Sequence, residues 1–424
     1  MGTKDTVFID EFRRNWKILA VAFVCFLFAF SAPAFSLPFL YRSIMEEFGW
    51  SREQVTLLAS AKYATGAIFS ILIGRFIDVI GIRNVLISVS TLGALAMLSF
   101  LWTPNLTIYY LSGVLLGIAS PGTIVAIKVL ISRTFHASQG TAMGVAMLGT
   151  ALGSVIVPIA ITFLIAKFGW RYAIAMMSLG IWLIALPIMI FYLTDKSFEK
   201  AEDAGNDAAP DSVAMSWAPV RELMKQRQFW LIAVAVMLAA FVDQAFTQHQ
   251  VLYLEVDLGM SAAVVAGGIS AIGIVGFVGR IFVGGIFDKW SSKGVSLMYL
   301  VLAASCLLAL AAFNPYIFAA FIVFRAVGHA AVMLDTTVLA KHTFGLANIG
   351  ILLGIYTAAV NIGFMLGPWF LGRMFAVTGS YVMPFIICCG LALFAAAVLI
   401  PVKPSYWIEM RAKQKKGDGL PATP

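Results

Sequence analysis

Gly74-Arg75-Phe76-Ile77-Asp78-Val79-Ile80-Gly81-Ile82-Arg83 closes one long apolar run of the sequence, and Gly284-Gly285-Ile286-Phe287-Asp288-Lys289 closes another, 210 positions further on. Sliding the chain against itself by that interval keeps the register elsewhere. Gly49 falls on Gly259, Ser51 on Ser261, Gly66 on Gly276, Gly140 on Gly350, Gly144 on Gly354, Gly153 on Gly363, Pro158 on Pro368 and Gly169 on Gly379. The matches concentrate on glycine, which lets helix backbones approach closely within a bilayer. One shared period over so long a stretch reads as two parallel repeats, the sequence sign of a rocker-type transporter with its substrate near the midplane.

Outward from these loops, the chain supplies twelve apolar runs near the length of about 20 residues that a membrane span requires. They lie near 17–41, 52–79, 82–103, 106–134, 138–167, 172–193, 229–254, 262–288, 294–313, 316–344, 347–377 and 381–402. The expected fold is an all-α membrane protein of twelve transmembrane helices in two pseudo-symmetric six-helix halves. Ile18 to Ser31, followed by Ala32-Pro33-Ala34, has the outline of a signal peptide. Apolar character continues to Tyr41, however, so this stretch is read as span one.

Composition agrees. Of 424 residues 61% are hydrophobic and 12% charged, against about 45–50% and roughly a quarter in soluble domains. Soluble catalysis and nucleic-acid binding are thereby excluded, and the chain is read as no enzyme. With the N-terminus inside, twenty of the 29 Lys and Arg fall in cytoplasmic segments and five at the outer ends, which places both termini in the cytoplasm. The net charge of +8 then reflects topology and not a polyanionic ligand. Cys25, Cys306, Cys388 and Cys389 sit within apolar runs without metal-ligand spacing, so neither a disulfide framework nor a metal site is expected. No cofactor is implied.

The division expected is 1–194 for the N-terminal half, 195–228 for a cytoplasmic linker with an acidic, Ala-rich stretch from Glu199 to Asp211, 229–402 for the C-terminal half, and 403–424 for a basic cytoplasmic tail at the anionic inner leaflet.

Ionisable residues within spans are costly, about 2.5–3.5 kcal/mol even on the lenient insertion scale, so each asks for a reason. Arg280 in span eight is framed by Gly276 and Gly284 on its own helix face, where its repeat partner is Ser70. A guanidinium on an open face suits a carboxylate, which its fork can bind with two hydrogen bonds. Counted at about 1.5 Å per residue, Asp335 in span ten lies level with Arg280 and is available to neutralise it. Asp243 in span seven and Arg325 in span ten admit a second pair. His329, one turn from Arg325, and His249 are candidates to carry or relay protons. Lys128 in span four is open to three readings: a second anion site, a partner for Asp335, or snorkelling to the inner surface. Lys62 in span two is similarly ambiguous. Gln244, Gln248, Tyr356 and Asn361 are neutral donors able to line a cavity.

The loop from Gly74 through Asp78 to Arg83, and its counterpart with Gly284 and Asp288, resembles the signature loop of the major facilitator superfamily. The resemblance runs from Trp16 to Val402. As a gating motif, its carboxylates can accept from helix N-termini and basic side chains and latch one side of the carrier. Phe48-Gly49-Trp50-Ser51-Arg52-Glu53, Ile131-Ser132-Arg133-Thr134-Phe135, Gly140-Thr141-Ala142-Met143-Gly144, Gln228-Phe229-Trp230 and Gln248-His249 narrow it to a group similar to monocarboxylate transporters and oxalate/formate antiporters. In that group an arginine of the eighth helix binds the substrate carboxylate, and Arg280 fits the position. The chain departs from the animal members, which place an aspartate where Gly276 stands. It departs also from oxalate exchangers, which add a lysine in the eleventh helix, where span eleven has none.

The resemblance implies a secondary transporter of small monocarboxylates such as lactate or pyruvate, proton-coupled and working by alternating access as a monomer. Its partners are then a small organic anion, a proton and the lipid bilayer of a bacterial inner membrane. Rivals are organic-anion exchange, aromatic-acid transport, efflux and a non-transporting sensor, the last expected to carry a long signalling tail.

Overall fold

The computed structural model describes residues 3–135, 139–193, 217–345 and 349–416, and every regular element among them is helical. Residues 195–216 of the expected linker, with its acidic stretch, and residues 417–424 of the tail lie outside the described residues. Nine of the described helices are long and apolar enough to cross a membrane, or ten with the bent pair Arg52–Ser70 and Leu72–Ile80 counted as one span. In two of them a backbone break falls between two span-length stretches, at Gly169 in Gln139–Gly180 and at Ser291 in Ala262–Leu310, whereas a kink at Asn15 in Thr3–Val24 precedes the apolar run of span one and divides no span. Each break turns one continuous assignment into two spans, in agreement with twelve.

Span one runs as Thr3–Val24, a π-helical turn Cys25–Phe30, and Ser31–Phe48. Span two is Arg52–Ile80, span three Ile82–Ser99, and span four Leu106–Thr134. Span seven is Arg227–Leu252 with a π turn Tyr253–Asp257. Spans ten to twelve are Pro315–Phe344, Ile349–Thr378 and Val382–Leu399. Short helices cover Trp217–Met224 and Ser405–Lys416.

The repeat has local physical causes. Span one stops because Gly49 adopts φ 66°, a left-handed cap that a side chain would strain, and span two starts two residues later on a Ser51 capping box. There the Ser51 hydroxyl accepts from Gln54 N at 3.2 Å, while the Gln54 side-chain Oε1 accepts from Ser51 N at 2.8 Å. Gly259 repeats the left-handed φ, at 65°, and the Ser261 hydroxyl accepts from Val264 N at 3.4 Å. One symmetry position breaks the pattern. Gly81 in the first loop takes φ 81°, and its counterpart Ser291 takes φ 50° with a Cβ, a costly conformation for a non-glycine residue. The Ser291 hydroxyl is 3.0 Å from His342 Nδ1, and Ser292 donates to the Val402 carbonyl at 3.0 Å. The helix Ser405–Lys416 is anchored beside them, since Trp407 Nε1 donates to the Asp288 carbonyl at 3.0 Å and Ser405 to that of Thr343.

Contacts divide the chain into two compact units, Met1–Ser212 with Gln248–Ile274, and Val213–Thr247 with Val275–Pro424. This grouping follows packing and does not trace the repeat. In the first unit the segment 248–274 is held by Tyr41, whose hydroxyl donates to Gln248 Oε1 at 2.7 Å, by an ion pair of Arg52 with Asp257, and by Ser270 donating to the Val155 carbonyl at 2.7 Å. Span five closes on span one through Gly149 and Gly153, beside the Phe23 backbone and Ser31. In the second unit span eleven closes on span seven in the same way, through Gly363 and Gly367 against the carbonyls of Met237 and Phe241. A Cβ at Gly363 would overlap the Met237 carbonyl oxygen, and backbone cannot yield as a side chain does. Gly363→Ala is therefore expected to cost about 1–3 kcal/mol by overpacking, read as a lower midpoint of thermal aggregation in detergent. Ala substitution at Gly354, which has nothing within 4 Å of a built Cβ, should leave that midpoint in place.

Candidate functional site

Span ten begins after Asn314, whose side chain accepts from the backbone N–H groups of Tyr316 and Ile317, and it carries Arg325 and His329 toward span seven. Arg325 and His329 lie four residues apart and so share one helix face. Asp243 and Thr247 have the same spacing on span seven. The second unit brings all four together. Arg325 Nη1 donates to Asp243 Oδ1 at 2.6 Å, and Nη2 donates to the Asp243 carbonyl at 2.8 Å and to the Thr247 hydroxyl at 2.7 Å. His329 Nδ1 stands 2.9 and 3.0 Å from the two Asp243 carboxylate oxygens. Asp243 is wholly buried and the Arg325 side chain 2% exposed. Each charge is thus answered by another at hydrogen-bond distance, the condition under which an ion pair survives in a low-dielectric interior.

Asp335 is in a different situation. It too is fully buried, but its carboxyl oxygens accept from neutral hydroxyls, that of Tyr299 at 2.6 Å and that of Thr336 at 2.8 Å. Among the described residues no cation lies within ion-pair distance of it. The pairing of Asp335 with Arg280 expected from helix depth is not present. Equal depth along two helices does not fix the direction of a side chain, and Tyr299 of span nine, which depth counting ignored, occupies the position.

Arg280 belongs to the same unit and is half-buried. The face of span eight that carries Gly276 packs on span ten, where a Cβ at Gly276 would stand 3.5 Å from the Ala326 carbonyl oxygen. No ion pair or hydrogen bond of its guanidinium is present among the described residues, and its Nε is buried without a partner. The Arg325 Nε is buried without a partner as well, but its other nitrogens meet Asp243 and Thr247, whereas Arg280 has no anion beside it among the described residues.

The remaining expected residues fall into three groups. His249 is wholly buried, and Gln244 and Gln248 nearly so. Gln248 is joined to Tyr41. Tyr356 is buried as well, its hydroxyl 3.3 Å from the Phe229 carbonyl that accepts from it and its ring 5.4 Å from that of Phe229. Both side chains hold spans together. Asn361 is half-buried and Lys128 is exposed, whereas Lys62 is 6% exposed with its ammonium 5.5 Å from the Tyr63 ring centre. In the gating motif, Asp78 pairs with Arg133 at 3.5 Å, both side chains exposed, and Arg83 reaches the Ile190 carbonyl at 3.5 Å. Gly74 and Gly284 have open space where a Cβ would stand. The Asp288 backbone accepts from Trp407 and Arg411.

Sequence reading missed Thr247, Tyr299 and Thr336. The four-residue offset of Thr247 from Asp243 was available as a signal. Nothing along span nine distinguishes Tyr299 from an ordinary aromatic of an apolar helix. The four cysteines are free and buried, and no cluster of three or more potential metal ligands exists among the described residues.

Comparison with known proteins places these features in context. The family model described as Major Facilitator Superfamily matches residues 18–314, well over half of the chain. Monocarboxylate transporter 13 of Rattus norvegicus is 26% identical over 330 residues, covering 76% of this chain and 73% of its own length. Among solved structures, a bacterial homologue of the human lysosomal transporter Spinster, inward-facing and unoccupied, superposes with a TM-score of 0.71 at 15% identity, over 97% of this chain and 99% of its own. A D-xylose–proton symporter gives 0.68 at 14% identity over 94% and 99%.

Proposed function

Because the chain belongs to the major facilitator superfamily, and is therefore a membrane transporter and not an enzyme, we propose that it carries small monocarboxylates of the lactate and pyruvate type together with a proton, by alternating access. The observation that carries this reading is the contrast between the two arginines of the second unit. Arg325 is answered on three sides by Asp243 and Thr247, whereas the half-buried guanidinium of Arg280 pairs with no acid among the described residues. An unanswered cation at that depth costs free energy in the empty carrier, and a substrate carboxylate removes the cost by supplying two charge-assisted hydrogen bonds. The same substrate type appears in the name of the relative in Rattus norvegicus. A proton taken up with the monoanion makes the cycle electroneutral.

Asp78 and Arg133, with Asp288 in the second repeat, fit a latch that rearranges during transport. The excess of basic residues in alternate loops supports cytoplasmic termini, and the proposed location is a bacterial inner membrane. A second reading, exchange of organic anions of the oxalate or formate type, has Lys62 and Lys128 in its favour. These are two further cations of the first unit with no ion pair among the described residues, and a dianion would call on one of them.

Reconstituted proteoliposomes decide between the two. Labelled L-lactate or pyruvate should accumulate under an inward proton gradient without internal anion and should run out when the gradient is collapsed. Uptake that appears only when internal anion is supplied would establish exchange. Absence of both, in correctly oriented and active protein, would exclude these substrates.

A further inference from the structure

Among the described residues of the second unit, Asp243 and Asp335 are the two fully buried carboxyl groups, and they are built for different charge states. Asp243 is surrounded by donors that favour the anion: the Arg325 guanidinium on one oxygen and the His329 ring at both. Its ionised form is locked in place, and protonating it would leave Arg325 uncompensated. Asp335 has no such support. Its Oδ2 accepts from the Tyr299 hydroxyl at 2.6 Å and its Oδ1 from the Thr336 hydroxyl at 2.8 Å. Two neutral hydroxyls do not replace the hydration that a carboxylate loses on entering a protein interior within a membrane, a loss of several kcal/mol per ion.

Among the described residues no cation, Arg280 included, stands within ion-pair distance of Asp335. Asp243, on span seven, is a second acid and supplies no compensating charge. The nearest bases on its own helix, His329 and Lys341, are six residues away in each direction, roughly 9 Å of helix rise. Arg325 is held by Asp243. Tyr299, from span nine, is itself an acid.

We propose that Asp335 is the proton-binding carboxyl of the transport cycle, with the Tyr299 hydroxyl as its positioning partner, and that the Asp243–Arg325–His329 cluster is a fixed ion pair that carries no transported proton. This assignment rests on the proposed proton coupling and names its site. Protonation converts one buried carboxylate to a neutral acid, so a single proton offsets the charge of a single monoanion. Tyr299 fits this role because a hydroxyl both donates to the carboxylate and accepts from the acid. Asp335 thereby keeps a hydrogen-bonded neighbour in each state without either helix moving.

The test has one arm that needs no substrate. Infrared titration of the purified protein, with isotope-labelled aspartate, reads the carbonyl stretch of a protonated carboxylic acid as pH is raised from mildly acid to mildly alkaline. We expect such a band in wild type, lost in Asp335→Asn and retained in the charge-neutral pair Asp243→Asn with Arg325→Gln. Tyr299→Phe, which leaves the carboxyl in place, should shift the band by removing its short hydrogen bond. A band that survives in Asp335→Asn, one that disappears with Asp243, or none in wild type would overturn the assignment.

The transport arm uses L-lactate in proteoliposomes. Asp335→Asn should lose gradient-driven accumulation at least tenfold while still exchanging labelled for unlabelled L-lactate at equal pH. Accumulation at the wild-type level in that variant would also overturn the assignment. Should wild type move no L-lactate, the substrate reading fails, and the infrared band alone decides the proton site.

Discussion

Asp243→Ala is expected to yield a protein that cannot be recovered as a monodisperse species in detergent. The variant removes the acceptor of Arg325 Nη1 and both oxygens facing His329, leaving a 2% exposed guanidinium without a counter-charge. Breaking a buried pair from one side costs about 3–5 kcal/mol, a large part of the roughly 5–15 kcal/mol that holds a typical fold together. The carbonyl of residue 243 and the Thr247 hydroxyl still accept from Nη2, so the loss is not the whole network, but neither carries a formal charge. The same physics predicts rescue. Asp243→Leu combined with Arg325→Met should recover most of the thermal stability, because replacing both members of a buried pair by apolar groups is often near neutral or better. Fluorescence-detected size exclusion after heating reads both results. A single variant as stable as wild type would show that the cluster contributes nothing net to folding.

The architecture was legible in the sequence because the repeat and the span lengths are properties of the chain alone. Gly49 and Gly259 stop helices by backbone conformation, Ser51 and Ser261 start them by capping, and Gly363 marks a close helix crossing. Each of these causes is local, or nearly so, and survives in one dimension. The site was legible only in part. Asp243, Arg325 and His329 stood out because charge in an apolar run is conspicuous, and i to i+4 spacing put two of them on one face. The partner of Asp335 did not stand out. Tyr299 lies 36 residues away on a helix of the same unit, and its relevance comes from rotation of that helix about its axis, which hydropathy does not encode. Arg280 and Asp335 show the converse error. Matching depth suggested an ion pair, and the structure shows Asp335 bound to hydroxyls and Arg280 without an ion pair or hydrogen bond among the described residues. Tyr356 and Gln248 read as polar lining by composition, yet each is joined to a span of its own unit.

Arg280→Ala should abolish uptake of L-lactate and pyruvate while leaving thermal stability unchanged or raised. A residue that supports the fold loses stability when truncated. A residue kept for a ligand is held against its own cost in the empty protein, and removing it relieves that cost. The Nε of Arg280 is buried without a partner among the described residues, and so is that of Arg325. The difference is that Arg325 has the Asp243 carboxylate to offset its burial, whereas Arg280 has no counter-charge among the described residues and carries that cost unrelieved. Truncation therefore removes a penalty. Arg280→Lys separates charge from geometry. The ammonium keeps the positive charge but gives up the parallel fork, so one charge-assisted hydrogen bond of about 1.5–3 kcal/mol is lost. That corresponds to a rise in KM of roughly ten- to a hundredfold, with transport still detectable at high substrate. Thermal unfolding and uptake measured on the same preparations of Arg280→Ala, Arg280→Lys and Arg325→Ala check the argument. Arg325→Ala should lose both stability and transport, and Arg280→Ala only transport. If Arg280→Lys takes up L-lactate with wild-type KM, recognition by a two-pronged guanidinium is wrong. If Arg280→Ala is strongly destabilised, the guanidinium supports the fold and the site for the carboxylate must be sought at Lys62 or Lys128.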